Sequence, residues 1–108
     1  MDSDYSSRDN DVVDFLSMLT LANINQRKAI LHTLTWKQCT ILRQLAYNVM
    51  FNSSITLSDK DRQYLQRHSK VVKVLASKKA CTVEKAQFFT THQSVIYKLA
   101  KIGLQYLK

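Results

Sequence analysis

Lysine and arginine side chains are the groups in this sequence that most clearly indicate a binding function, because they can bind phosphates. Those concentrated in one stretch are Lys60, Arg62, Arg67, Lys70, Lys73, Lys78 and Lys79. Cations held together on one side of a folded element are the electrostatic footprint of a nucleic-acid-binding protein. We therefore predict that these residues contact DNA phosphates, with Lys98 and Lys101 near the C-terminus as further contacts.

A helix is needed to hold these cations on one face. When residues 58–79 are wound at about 100° per residue, apolar and ring-bearing side chains fall in the opposite arc. They are Tyr64, Leu65, His68, Val71, Val72, Leu75 and Ala76. Ser58 followed three residues later by Asp61 predicts a capping box at the start. The stretch is predicted to be one helix, or two in tandem that break at His68–Ser69, since Ser caps a helix better than it extends one.

The charge balance separates a binding face from an ordinary solvated face. A solvated face mixes signs, because oppositely charged residues four apart stabilise a helix. After Asp61 the only acidic residue is Glu84, against 10 lysines and arginines. This imbalance favours an anionic partner, with a solvated face as the alternative.

The acidic residues collect at the opposite end of the chain. Five of the 8 aspartates and glutamates lie in the first 14 residues, and the rest of the chain has 15 bases against 3 acids. Residues 1–10 are polar and rich in Ser and Asp, which predicts a disordered acidic arm before a single domain at 11–108. This arm could cover the basic surface or only increase solubility.

The composition predicts an all-α fold. A chain of 108 residues with 45% hydrophobic content suits one modest core. It has one Gly and no Pro, so the residues that make hairpin turns are nearly missing. We predict a compact bundle of five to seven short helices.

Cap signals divide the first part of the chain into two helices. The first is predicted to begin at Asn10 or Asp11 and to end near Asn23. Asn25 is predicted to cap the second, which turns Arg27 and Lys28 outward.

A capping box at Thr35 and Gln38 predicts the start of the next helix, which runs to about Met50. Trp36 in its first turn is expected to pack rather than to stack on a base. The final helix is predicted from about residue 92 to 107.

Neither a metal site nor an active site is predicted. Cys39 and Cys81 are expected to be reduced, buried thiols, and no histidine stands at zinc-ligand spacing from them. No Ser, His and Asp form a nucleophile setting, and Gly103 alone cannot make a phosphate loop. We expect no enzyme, no cofactor, no membrane span and, without a signal peptide, an intracellular protein that is not secreted.

A helix-turn-helix at residues 82–101 is an alternative. Such a motif places its second helix in the major groove. Gln93, Ser94, Tyr97 and Lys98 would then face bases or phosphates. The protein would act as a sequence-specific regulator.

Residues 26–79 resemble small, basic helical proteins that Polinton (Maverick) elements and adintovirus-like DNA viruses of animals encode. Five segments carry the resemblance, and they are Gln26–Ala29, Leu34–Thr35 with Gln38, Leu45–Val49, Leu57–Ser58 and Leu75–Lys79. The resemblance implies a viral or mobile-element setting, in the host nucleus or in a virion. It assigns no catalytic residue. In such a setting, a small cationic protein would coat, condense or package DNA.

The leading hypothesis is therefore a non-enzymatic protein that binds double-stranded DNA, in preference to RNA, with little sequence specificity. Six phosphate contacts would give a log–log salt slope of about −5. A protein-interaction module or virion accessory, whose basic face meets an acidic viral or host protein, is an alternative. The helix-turn-helix reading would require a homodimer or a defined site.

Overall fold

The computed structural model describes the backbone of residues 2–51, 56–77 and 83–107 and the side chains of residues 11–51, 56–77 and 87–106. In these ranges the chain forms helices and no strand. The helices are α1 (Asp2–Leu21), α2 (Ile24–His32), α3 (Trp36–Phe51), α4 (Asp59–Arg67), α5 (Ser69–Ala76), α6 (Val83–Thr91) and α7 (Gln93–Leu107). The all-α bundle predicted from composition is confirmed.

The expected disordered arm at residues 1–10 is not confirmed, because α1 begins at Asp2 and continues without interruption to Leu21. This segment has no Gly or Pro that would end a helix. Its early aspartates also lie where the helix dipole favours negative charge. The first helix therefore starts well before the predicted cap at Asn10 or Asp11.

Helix α7 lies at the centre of the bundle. It packs against α1, α3, α2 and α6, while α3 also packs against α5 and α2 against α6. The core joins side chains from six helices, and its largest fully buried members are Leu16, Leu19, Leu31, Leu42, Leu75, Ile96, Leu99 and Val72. The Cα radius of gyration is 13.3 Å, close to the roughly 13 Å expected for a compact domain of this length.

Gly103 allows α7 to approach α1 and α3 closely. A Cβ atom at this position would lie 2.8 Å from Leu45 Cδ1 and 3.1 Å from Leu16 Cδ1. The first of these distances is shorter than carbon atoms can approach without movement. The only glycine in the chain is therefore a contact point between three helices.

Side-chain caps set the helix starts. Gln38 N donates to Thr35 Oγ1 at 3.1 Å, and Thr35 N donates to Gln38 Oε1 at 3.0 Å, so the predicted capping box is confirmed. The cap predicted at Asn25 is wrong. The N-cap of α2 is Asn23, two residues before Asn25. Asn23 forms a capping box with Gln26, because the two residues have the three-residue spacing that such a box requires.

Two predictions about burial are wrong. Arg27, expected on the surface, is 7% exposed, and Trp36, expected in the core, is 74% exposed. On α3, Trp36 lies roughly 100° around the helix from the buried stripe of Cys39, Leu42 and Ala46, so its ring leaves the core.

Cys39 is buried as predicted, but it is disulfide-bonded, so the expectation of a reduced thiol is wrong. A disulfide depends on two residues meeting in space, which spacing along the chain does not reveal. Cys81 lies outside the described residues. Disulfides are typical of oxidising compartments, so this bond counts against the predicted intracellular location, which stays a prediction.

None of the helices in the described ranges combines the length and the apolar character that crossing a membrane requires.

Candidate nucleic-acid interface

The basic stretch folds as α4 and α5, with the break at His68 that the sequence predicted. Asp61 N donates to Ser58 Oγ at 3.2 Å, which caps α4. At the break, His68 N still donates to Tyr64 O at 3.2 Å, and Val72 N donates to His68 O at 3.1 Å. These two bonds span the junction, so α4 and α5 are linked through His68 without a loop.

The inner side of this pair packs on the core as predicted. Val72, Leu75 and Ala76 are buried, while Tyr64 and Leu65 are half-buried. The other two residues of the predicted arc, His68 and Val71, are also half-buried. The opposite side of both helices is therefore free to carry the charges.

Five cations of the predicted site are exposed on α4 and α5. They are Lys60, Arg62, Arg67, Lys70 and Lys73, which we call the basic face. Within the part of the chain that the structure describes, none of the five forms an ion pair with a carboxylate. Their charges are consequently available to an external anion.

Asp61, one of two acids in the first turn of α4, pairs with a lysine of α7. Asp61 Oδ1 lies 2.6 Å from Lys98 Nζ on α7, and the two side chains are 16% and 33% exposed. The Lys98 ammonium also lies 5.8 Å from the Tyr64 ring centroid. Burial raises the pKa of the Tyr64 phenol, an effect that the positive charges of Lys98 and Arg67 partly oppose.

The remaining predicted contacts do not all join the basic face. Lys98 is paired with Asp61, so the Asp61 carboxylate neutralises its charge within the fold. Lys101 is exposed, with its ammonium 5.3 Å from the Tyr97 ring centroid. Lys78 and Lys79 lie outside the described residues.

The geometry of α6 and α7 does not favour the helix-turn-helix alternative. One residue, His92, separates α6 from α7, whereas that motif has a turn of three or four residues. Gln93 accepts a hydrogen bond from Arg27, and the Tyr97 ring lies against the Arg27 guanidinium. Of the four expected reading residues, only Ser94 is exposed.

Sequence reasoning missed a groove between α3 and α5. Its volume is about 610 Å³, and it is lined by Arg43, Gln44, Tyr47, Asn48, Phe51, Lys73, Ala76 and Ser77. Tyr47 and Phe51 are 53% and 61% exposed, with ring centroids 4.9 Å apart. The signal was present in the sequence, because Arg43, Tyr47 and Phe51 are spaced four apart and share one stripe of α3.

No group of three or more His, Cys, Asp or Glu side chains that could hold a metal ion occurs among the described residues.

No protein-family model, curated protein or solved structure matches this chain.

Proposed function

We propose that this protein is a non-enzymatic nucleic-acid-binding protein that contacts the phosphates of double-stranded DNA through its basic face. The observation that carries the proposal is the set of five exposed lysines and arginines on α4 and α5, of which none is paired with a carboxylate in the described residues. Binding of DNA to such a face is favourable, because each phosphate contact releases condensed counterions.

The Asp61–Lys98 ion pair supports this proposal. It removes the carboxylate of Asp61 from the field of the basic face, which leaves Asp59 as the exposed acid of α4. Asp59 lies in the first turn of its helix, where the macrodipole favours negative charge. The five cations of the basic face therefore exceed the exposed acid of α4, and the net charge of this surface is positive.

Little sequence preference is proposed because the lysine and arginine side chains of the basic face can bind phosphates, which are the same at every base pair. The helix that a helix-turn-helix would use for reading, α7, packs against α1, α2, α3 and α6. Backbone contacts of this kind position a protein on DNA without reading bases. Packaging or condensation of a viral or mobile-element genome, in a nucleus or virion, is the setting that the sequence resemblance implies.

The salt dependence of binding tests the proposal. Affinity for a short duplex is measured by fluorescence anisotropy at several salt concentrations. Five phosphate contacts predict a log–log slope of about −4.5, and the triple variant Arg67→Gln, Lys70→Gln, Lys73→Gln should bring it to about −2. No measurable affinity of the wild type at about 50 mM salt would refute duplex binding.

A matched pair of single substitutions controls for net charge. Arg67→Gln should lower the magnitude of the slope by about 1, whereas Lys28→Gln, which removes an exposed charge from α2, should leave it unchanged. Equal effects of both substitutions would mean that the whole surface, and not the basic face, attracts DNA. A protein partner that stays bound after nuclease treatment would instead support the acidic-protein alternative.

A further inference from the structure

The groove between α3 and α5 has walls of two different kinds. Along α3 run two exposed aromatic rings, Tyr47 and Phe51, with the amide side chains of Gln44 and Asn48 beside them. Across the groove, α5 contributes Lys73. None of the described residues that line the groove is acidic.

Its size suits a ligand of nucleotide dimensions. The volume of about 610 Å³ lies within the range of about 300–1,000 Å³ typical of small-molecule sites. Exposed aromatic rings next to cations are the combination by which proteins hold unpaired bases, since the ring stacks on the base and the cation binds the phosphate. The amides can donate to and accept from base edges.

The groove is continuous with the basic face. Lys73 lines the groove and also belongs to that face, and Arg43 supplies a second cation on the α3 side. A strand whose backbone follows α5 would therefore bring its bases toward Tyr47 and Phe51. An apolar peptide helix fits this groove less well, because such a helix docks in a hydrophobic groove and carries no group that would pair with the cations on both walls.

We infer that this groove binds unpaired bases of a single-stranded nucleic acid, with Tyr47 and Phe51 as stacking residues and Arg43 and Lys73 as phosphate contacts. The inference extends the proposed function, because it depends on the same basic face to attract the backbone. It adds single strands, or single-stranded ends of a duplex, to the proposed ligands.

The test measures affinity for a labelled oligothymidylate of roughly 8 nucleotides, for the matching oligouridylate, and for a duplex. The double variant Tyr47→Ala, Phe51→Ala should weaken binding of at least one single strand about tenfold or more and change duplex affinity by less than about twofold. The strand that shows the larger loss is the better ligand. If both single strands keep wild-type affinity in this variant, the inference is wrong.

Trp36→Ala is the matched control, because Trp36 is an exposed aromatic residue of the same helix that does not line the groove. It should leave single-strand affinity unchanged. The double variant Tyr47→Phe, Phe51→Tyr keeps both rings and should retain the wild-type affinity for single strands. Since both aromatic residues are exposed, circular dichroism should show an unchanged helical signal in every variant.

Photocrosslinking gives a second readout that does not depend on affinity. With a bromodeoxyuridine-substituted strand, crosslinks should map to the peptide that contains Tyr47 and Phe51. Crosslinks only on other peptides would contradict the inference. Duplex binding retained in the Tyr47→Ala, Phe51→Ala variant separates failure of this inference from failure of the proposed function, which would show as no duplex binding by the wild type.

Discussion

Lys98 Nζ lies 2.6 Å from Asp61 Oδ1, and this contact joins the central helix α7 to the first helix of the basic face. A lysine that sequence alone assigns to DNA is thereby held inside the protein. The same contact decides the orientation of Asp61, which would otherwise weaken the positive potential of α4.

Lys98→Met should destabilise the fold, because it leaves the largely buried Asp61 carboxylate without its partner. The expected loss in the free energy of unfolding is about 1–3 kcal/mol, measured by urea denaturation. The matched control is Lys101→Met, which removes an exposed lysine of the same helix and should change stability by less than about 0.5 kcal/mol. A stable Lys98→Met protein with weakened DNA affinity would contradict the structural role given to Lys98.

Arg27→Met should be the more damaging substitution. The Arg27 guanidinium donates to Leu19 O at 3.1 Å and to Ala22 O at 2.8 Å, and it lies 4.2 Å from the Tyr97 ring centroid. Removing it leaves two carbonyl groups near the end of α1 without this donor. We expect a loss of about 2–4 kcal/mol by urea denaturation.

Lys28→Met is the control for Arg27→Met, since it removes a neighbouring but exposed charge of α2. Its effect should stay within about 0.5 kcal/mol. Similar stability of the two variants would show that Arg27 does not hold α1, α2 and α7 together.

Alkaline pH should destabilise the protein partly through Tyr64. Burial raises the pKa of its phenol above the ordinary value of 10.0, so the folded protein favours the neutral form. The resulting stability is present below pH 10.0 and is lost as the pH rises through the folded pKa. Tyr64→Phe, which cannot ionise, should lose less stability than the wild type between about pH 9 and about pH 11. Identical pH dependence in urea unfolding would show that Tyr64 does not contribute.

Local sequence signals predicted part of this fold well. The Thr35–Gln38 box and the basic face with its inner apolar arc were readable because they involve residues within one or two helical turns. The break at His68 was readable for the same reason. Features that depend on one helix or on adjacent residues can therefore be predicted without knowledge of the tertiary structure.

The error about Arg27 and the overlooked groove arise where a neighbouring helix decides the outcome. Nothing in the α2 sequence shows that the end of α1 offers carbonyl groups to Arg27, or that Tyr97 lies beneath it. The exposure of Tyr47 and Phe51 likewise depends on where α5 crosses α3. The basic face and the α3 stripe of Arg43, Tyr47 and Phe51 could be read from the sequence, but the groove that α5 forms beside this stripe could not.

Gly103 offers a test of the close packing around α7. Replacing Gly by Ala in a helix interior normally stabilises it by about 1 kcal/mol. Here the new Cβ would meet Leu45 Cδ1 at 2.8 Å, and forcing extra atoms into a packed core costs about 1–3 kcal/mol. The Leu45 methyl is the far end of a half-buried side chain and can turn aside, so Gly103→Ala should stay within about 1 kcal/mol of the wild type in the free energy of unfolding, whereas the bulkier Gly103→Val should lower it by about 3 kcal/mol.

A double-mutant cycle identifies the contact that causes this loss. In a Leu45→Ala background the nearest obstructing atom is gone, so Gly103→Val should be less damaging there than in the wild type, with a coupling of about 1 kcal/mol. Ser94→Ala, an exposed change on the same helix, should be neutral or slightly stabilising. Additive effects of Leu45→Ala and Gly103→Val would mean that Leu45 of α3 does not contact α7 at Gly103, because substitutions at residues that do not touch are expected to add.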